Sequence, residues 1–245
     1  MKDMKEYMSI FNKYVKGFDL KNKNIMRKFH HTYRVVEYAN DIAVSLKLND
    51  DDIVLAKVCA LFHDIARFIQ ATQYNTFIDS KSFDHGDRGY EIVKEFIDEI
   101  SDDKDIQNIV LYSIKNHNKK EIQNDLSERE RLFCNITRDA DKLDIMMEQA
   151  YQINDGIYDL KKDILDCIYN HELVKNKYVE NDIDHVCRVI SFIFDINYKY
   201  SLNIVKNIII NKKFELLEAN IDTLELKKLK DSVYEYLEKR IEELC

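Results

Sequence analysis

The stretch VCALFHDIARF, residues 58–68, is an apolar run with a histidine and an aspartate side by side at its centre. A core-building helix would carry Leu or Val at positions 63 and 64, because an unpaired buried carboxylate is very costly. Consecutive helical residues differ by about 100° around the axis, so His63 and Asp64 can lean toward one point beside the helix. Two readings follow: a structural His–Asp hydrogen bond, or a pair that holds a cation. The helix around them, expected over about 51–70, is apolar round most of its circumference, which places it at the centre of the domain.

Helical periodicity runs outward from this stretch along nearly the whole chain. Further helices are expected at about 3–16, 24–47, 86–100, 103–117, 127–150, 159–175, 181–199, 201–218 and 222–243. Gly17 should end the first, and Ser127 with Glu130 should cap the one that begins near 127. Residues 71–84, ATQYNTFIDSKSFD, show no period and read as a long loop of the kind that often borders a binding site. The 245 residues include no Pro and only four Gly, too few for the tight turns of a β-rich protein, so the fold class is all-α. Without an internal repeat or a linker of biased composition, the chain reads as a single helical domain.

Hydrophobic residues at 45% and charged residues at 33% are an ordinary globular balance. A net charge of −8 argues against a non-specific nucleic-acid or anionic-membrane surface. It leaves room for a small anionic substrate, because a bound metal can dominate the local charge. Cys59, Cys134, Cys167, Cys187 and Cys245 form no CxxC pair and suit a reducing cytoplasm. The N-terminal MKDMKEYMSIFNKY has no continuous apolar segment, so no signal peptide is expected, and no run is long enough to predict a membrane span.

The pair at 63 and 64 has company among metal-capable residues. His31 shares a helical face with Val35, Tyr38 and Ile42 and so points inward, whereas His30 does not. His85 opens a helix directly after the aperiodic segment. His117 shares its stripe with Ile106, Val110 and Ile114. Singly, each reads as a hydrogen-bonded core or boundary histidine. In RDADKLD, residues 138–144, periodicity puts Asp139 nearest the apolar face, with Asp141 on the neighbouring stripe, and does not choose between them. Imidazoles and carboxylates on the inner faces of several helices together make a metal site in a helical bundle. His171 and His185 belong to no such pattern and read as structural.

The order His31, His63-Asp64, His85, His117, Asp141 resembles the HD-domain superfamily of metal-dependent phosphohydrolases. HTYRVV at 31–36, ALFHDIARF at 60–68, DHGDRGYEIV at 84–93, IKNHN at 114–118 and RDADKLD at 138–144 carry the resemblance. It implies an HD-domain-like helical bundle over about 25–145, with a C-terminal helical extension over about 156–245 as a pocket wall or homodimer surface. His31, His63, Asp64 and Asp141 match the residues that hold one divalent ion. The pattern thus selects Asp141 over Asp139. His85 and His117 match those that bind a second ion or the phosphate, with Asp64 as the bridge. Fe, Mn, Ni, Co, Zn or Mg would suit such ligands. The implied catalytic group is His63, Asp64 and Arg67, around a water that the metal activates. Arg34, Arg67, Arg88, Lys115 and Lys142 are the cations placed to bind a substrate phosphate. The implied activity is phosphomonoester or phosphodiester hydrolysis of a nucleotide or another small phosphorylated metabolite. The rival reading is a silent nucleotide- and metal-binding sensor on the same fold.

Overall fold

The computed structural model describes residues 1–148 and 158–244. It is all-α, with no strand among the described residues. The chain divides into two compact units, Met1–Asp144 and Ile145–Cys245. Among the described residues, no helix is long and apolar enough to cross a membrane.

The first unit begins with α1 (Met4–Val15), α2 (Lys23–Ser45) and α3 (Asp50–Phe62). Each starts at a residue whose side chain accepts a backbone N–H: Asp3, Asn22 and Asn49. Gly17 lies in the turn that closes α1, its amide bonded to the Tyr14 carbonyl. Helix α2 packs along α3, and α1 covers α3 through Phe11, whose ring meets Phe62 and Phe68. Leu55, Ala56 and the run from Val58 to Phe62 are fully or almost fully buried, so α3 is the central helix.

That helix is shorter than its apolar pattern predicts. The expected helix to residue 70 stops at Phe62, turns through 63–66, and resumes only as the short α4 (Arg67–Ile69) and a π turn, Gln70–Tyr74. Nδ1 of His63 approaches the Ala60 carbonyl at 2.6 Å. A continued α-helix would give that carbonyl to the Asp64 amide. The chain tightens instead, Ile65 to Phe62 and Arg67 to Asp64.

The aperiodic segment contains that π turn and one 3₁₀ turn, Asp79–Lys81, before α5 (His85–Lys94) begins at the Asp84 cap. The single helix expected over 86–100 is two, since α6 (Ile97–Ile100) follows a tightened turn at Glu95 and Phe96. That turn sets the Phe96 ring 6.0 Å from Phe62. Next come α7 (Lys104–Asn116), capped by Asp103, and α8 (Glu128–Glu148). Ser127 and Glu130 form the expected capping box. The predicted end of α8 at residue 150 lies outside the described residues.

The second unit comprises α9 (Lys162–Tyr169), α10 (Asp182–Ile190), α11 (Lys199–Ile204), α12 (Ile210–Glu218) and α13 (Leu224–Glu243). Two of its helices stop short of their expected ends. His171 adopts φ 56°, and the bonds Glu172 to Cys167 and His171 to Ile168 close α9 as a Schellman turn. Ser191 bonds back to the Arg188 carbonyl, and α10 passes into a 3₁₀ turn. His171 packs between Phe194 and Tyr236, and His185 is exposed.

Helices α5 and α7 pack closely because α5 carries Gly86 and Gly89 on the facing side. A Cβ at Gly86 would lie 2.8 Å from the Lys115 carbonyl, and one at Gly89 would lie 2.9 Å from Ile114. Gly89→Val is therefore expected to lower stability by about 1–3 kcal/mol through overpacking. Denaturant unfolding checks this; an unchanged midpoint would contradict it.

Candidate metal centre

Helix ends bring the imidazoles together. His63 and His117 are each the residue at which a helix stops, α3 and α7 respectively. Each turns Nδ1 back to the carbonyl three residues earlier, Ala60 at 2.6 Å and Ile114 at 2.7 Å. His85 is the first residue of α5, and its Nδ1 lies 2.6 Å from Asp79 Oδ2. His31, within α2, sets Nδ1 2.6 Å from Asp144 Oδ2. Arg34 in turn grips Asp144 with Nε at 2.6 Å and Nη2 at 3.0 Å. With Nδ1 as the donor in all four, each imidazole turns Nε2 inward, and the neutral form of each presents a lone pair there.

Those nitrogens surround one carboxylate. Asp64 Oδ2 lies 3.3 Å from His31 Nε2 and 3.5 Å from His63 Nε2. Its other oxygen, Oδ1, lies 3.5 Å from His117 Nε2 and 3.7 Å from His85 Nε2. Asp141 joins the first pair, with Oδ1 at 3.2 Å from His31 and 3.5 Å from His63. The ligand atoms of His31, His63, Asp64 and Asp141 all lie within 4.8 Å of one another, as do those of Asp64, His85 and His117. Arg138 ties α8 to the end of α7 through the Asn116 and Lys119 carbonyls. Asp139 is fully buried but belongs to neither group.

These residues fit a divalent ion. Nε2 of His31, His63 and His117 and Oδ1 of Asp141 are buried with no hydrogen-bond partner among the described residues, which native structures avoid. The separations are long for hydrogen bonds. Donors held at about 2.1 Å from a shared ion lie about 3.0–3.4 Å apart, close to the spacing around Asp64 Oδ2.

Charge is distributed to match. Burial alone would raise the Asp64 carboxyl, but Lys28, His63, His117 and His31 hold it well below the usual carboxylate range. Burial would likewise raise Asp141, and His31 and His63 hold it well below that range. Burial pushes His117 down to about 4 and lowers His85, so both are neutral at pH 7. His31 differs. Burial and Lys28 push it down, but Asp141, Asp144 and Asp64 outweigh them and raise it to about 10.

The five expected phosphate cations separate in the structure. Arg67 borders the centre, with Nε 3.4 Å from Asp64 Oδ1, while Nη1 bonds to Gln70, the Phe77 carbonyl and Asp79. Arg34 is engaged by Asp144, Arg88 is exposed on α5, Lys115 stands over the Tyr90 ring, and Lys142 is largely buried on α8. Four contributors escaped sequence reading: Lys28, Asp79, Asn118 and Asp144. Lys28 and Asp144 carried a usable signal, one helical turn from His31 and from Asp141. Asp79 and Asn118, which meet at 3.3 Å beside His85, carried none.

Residues 29–146 match the HD domain family. These residues thus carry an HD domain, the domain of a superfamily of metal-dependent phosphohydrolases. No curated protein and no solved structure matches the chain significantly.

The protonated form of His31 stabilises the metal-free fold fully below its ordinary pKa, and that contribution is lost as pH rises through about 10. An ion must displace this proton. Metal affinity should therefore rise with pH across the neutral and mildly alkaline range, with about one proton released per chain at pH 7. Calorimetry in buffers of different ionisation enthalpy measures this. Asp144→Ala removes the group that orients His31 and should weaken metal binding by about 10–100-fold, read by competition with a chelating dye.

Proposed function

We propose that the protein is a metal-dependent phosphohydrolase, acting as a phosphomonoesterase or phosphodiesterase on a nucleotide or other small phosphorylated metabolite. The observation that carries this reading is Asp64: each of its two oxygens faces a separate pair of partnerless or inward-turned imidazole nitrogens. His31, His63, Asp64 and Asp141 would hold one ion, and His85 and His117 a second, with Asp64 between them. Fe, Mn, Ni, Co, Zn or Mg remain the candidates from the donor types. When bound, such an ion acidifies water and offsets charge on phosphoryl oxygens.

The chain's own residues support the same chemistry. The ligands are largely enclosed: the side chain of Asp64 is 4% exposed and that of Asp141 15%. Burial pushes the thiols of Cys59, Cys134 and Cys187 up to about 12, so none is a ready nucleophile. The nucleophile in this reading is water. Four buried, free cysteines, Cys59, Cys134, Cys167 and Cys187, support a cytoplasmic location.

A screen of phosphomonoesters and phosphodiesters with protein reconstituted in each metal tests the reading. Turnover is expected, and Asp64→Ala should abolish it with little change in helix content by circular dichroism. Metal uptake without turnover across a broad panel would favour the sensor. Less than about a tenth of an ion per chain after reconstitution would remove both.

A further inference from the structure

Lys28 lies on α2 one turn before His31, so it projects from the same face toward the centre. Its side chain is only 10% exposed, and Nζ lies 2.7 Å from Asp64 Oδ2. An ammonium carries three N–H donors. Among the described residues, Asp64 is the one hydrogen-bond acceptor that Nζ meets. Its other close neighbour is the Phe77 ring, with the centroid at 5.6 Å, which attracts the charge but accepts no conventional hydrogen bond. Enclosing an ammonium with donors left over is unfavourable unless an acceptor arrives.

The position of those donors says what the acceptor is. Asp64 Oδ2 is the oxygen that faces His31 and His63, the group completed by Asp141. Asp141 Oδ1 lies on the same side, 3.2 Å from His31 Nε2 and 3.5 Å from His63 Nε2. Lys28 thus stands at the half of the centre built from His31, His63 and Asp141. A lysine needed only to neutralise Asp64 would become redundant there once a divalent ion bound the same oxygen. Ammonium and ion together leave excess positive charge, which an anion with several acceptor oxygens offsets. Arg67, the corresponding cation beside Oδ1, is held through Nη1 by Gln70, Asp79 and the Phe77 carbonyl, with Nε 3.4 Å from Asp64 Oδ1.

We propose that Lys28 is a substrate-binding residue that donates to a phosphoryl oxygen of the anion held at His31, His63, Asp64 and Asp141. The proposal rests on the phosphohydrolase reading. Lys28 is not among the cations expected from sequence, of which Arg67 lies at Oδ1 and Arg34 grips Asp144.

The test uses the full chain reconstituted with manganese and inorganic phosphate as the probe, titrated by calorimetry. Metal content of each variant is measured in parallel. Lys28→Met and Lys28→Gln should keep the metal stoichiometry of the wild type and bind phosphate about 10–100-fold more weakly, the loss of one charge-assisted hydrogen bond. Lys28→Arg should recover part of that affinity. Phosphate affinity unchanged in Lys28→Met, with metal retained, would overturn the proposal and leave the phosphohydrolase reading intact. Loss of the metal in both neutral variants would also overturn it, showing that Lys28 only holds Asp64. Loaded wild-type protein that neither binds phosphate nor turns over any ester would remove both readings.

Discussion

The first unit is organised around a buried carboxylate that must stay ionised. Asp64 is almost inaccessible, and burial by itself would drive it to the neutral form. It escapes because each oxygen faces its own set of positive or polarised groups. Oδ2 has Lys28, His31 and His63; Oδ1 has Arg67, His85 and His117. These residues come from α2, the turn after α3, α4, α5 and the end of α7. The packing of those elements is therefore constrained by what one side chain requires.

Geometry at that precision comes from helix termini. A histidine inside a helix swings with its rotamer, whereas His63 and His117 are each tied at Nδ1 to a carbonyl of their own last turn. The bond that fixes the ring also ends the helix. His85 is fixed by Asp79 from the preceding segment, and the glycines at 86 and 89 let its helix come close enough to meet His117, with ring centroids 4.8 Å apart. Helix breaks in an apolar run are thus part of the site.

This explains which features the sequence reveals. Periodicity reports which face is buried, so it finds the helices, the inward turn of His31 and the centrality of α3. It does not report where an apolar helix stops, because the stop after Phe62 is made by a side-chain bond of His63. For the same reason Asp139 looked better placed than Asp141: both are on the inner side of α8, and only the position of α2 decides which one meets His31. Cations were harder still. Lys28, one turn from His31, shows its partner only when its helix is set against Asp64, and Arg34 reads as a phosphate fork until Asp144 is seen between it and His31.

The centre is also held together by groups other than an ion. Every imidazole is anchored at Nδ1 by a carbonyl or a carboxylate, and Asp64 has an ammonium at hydrogen-bond distance. The protonated His31 balances Asp141 and Asp144. Small metal-dependent domains that lack such supports gain their fold only when the ion binds. Here the apolar core around α3 and these hydrogen bonds supply the fold first. An ion bound by these residues would meet ligands that are already directed, and would displace one proton rather than order a chain.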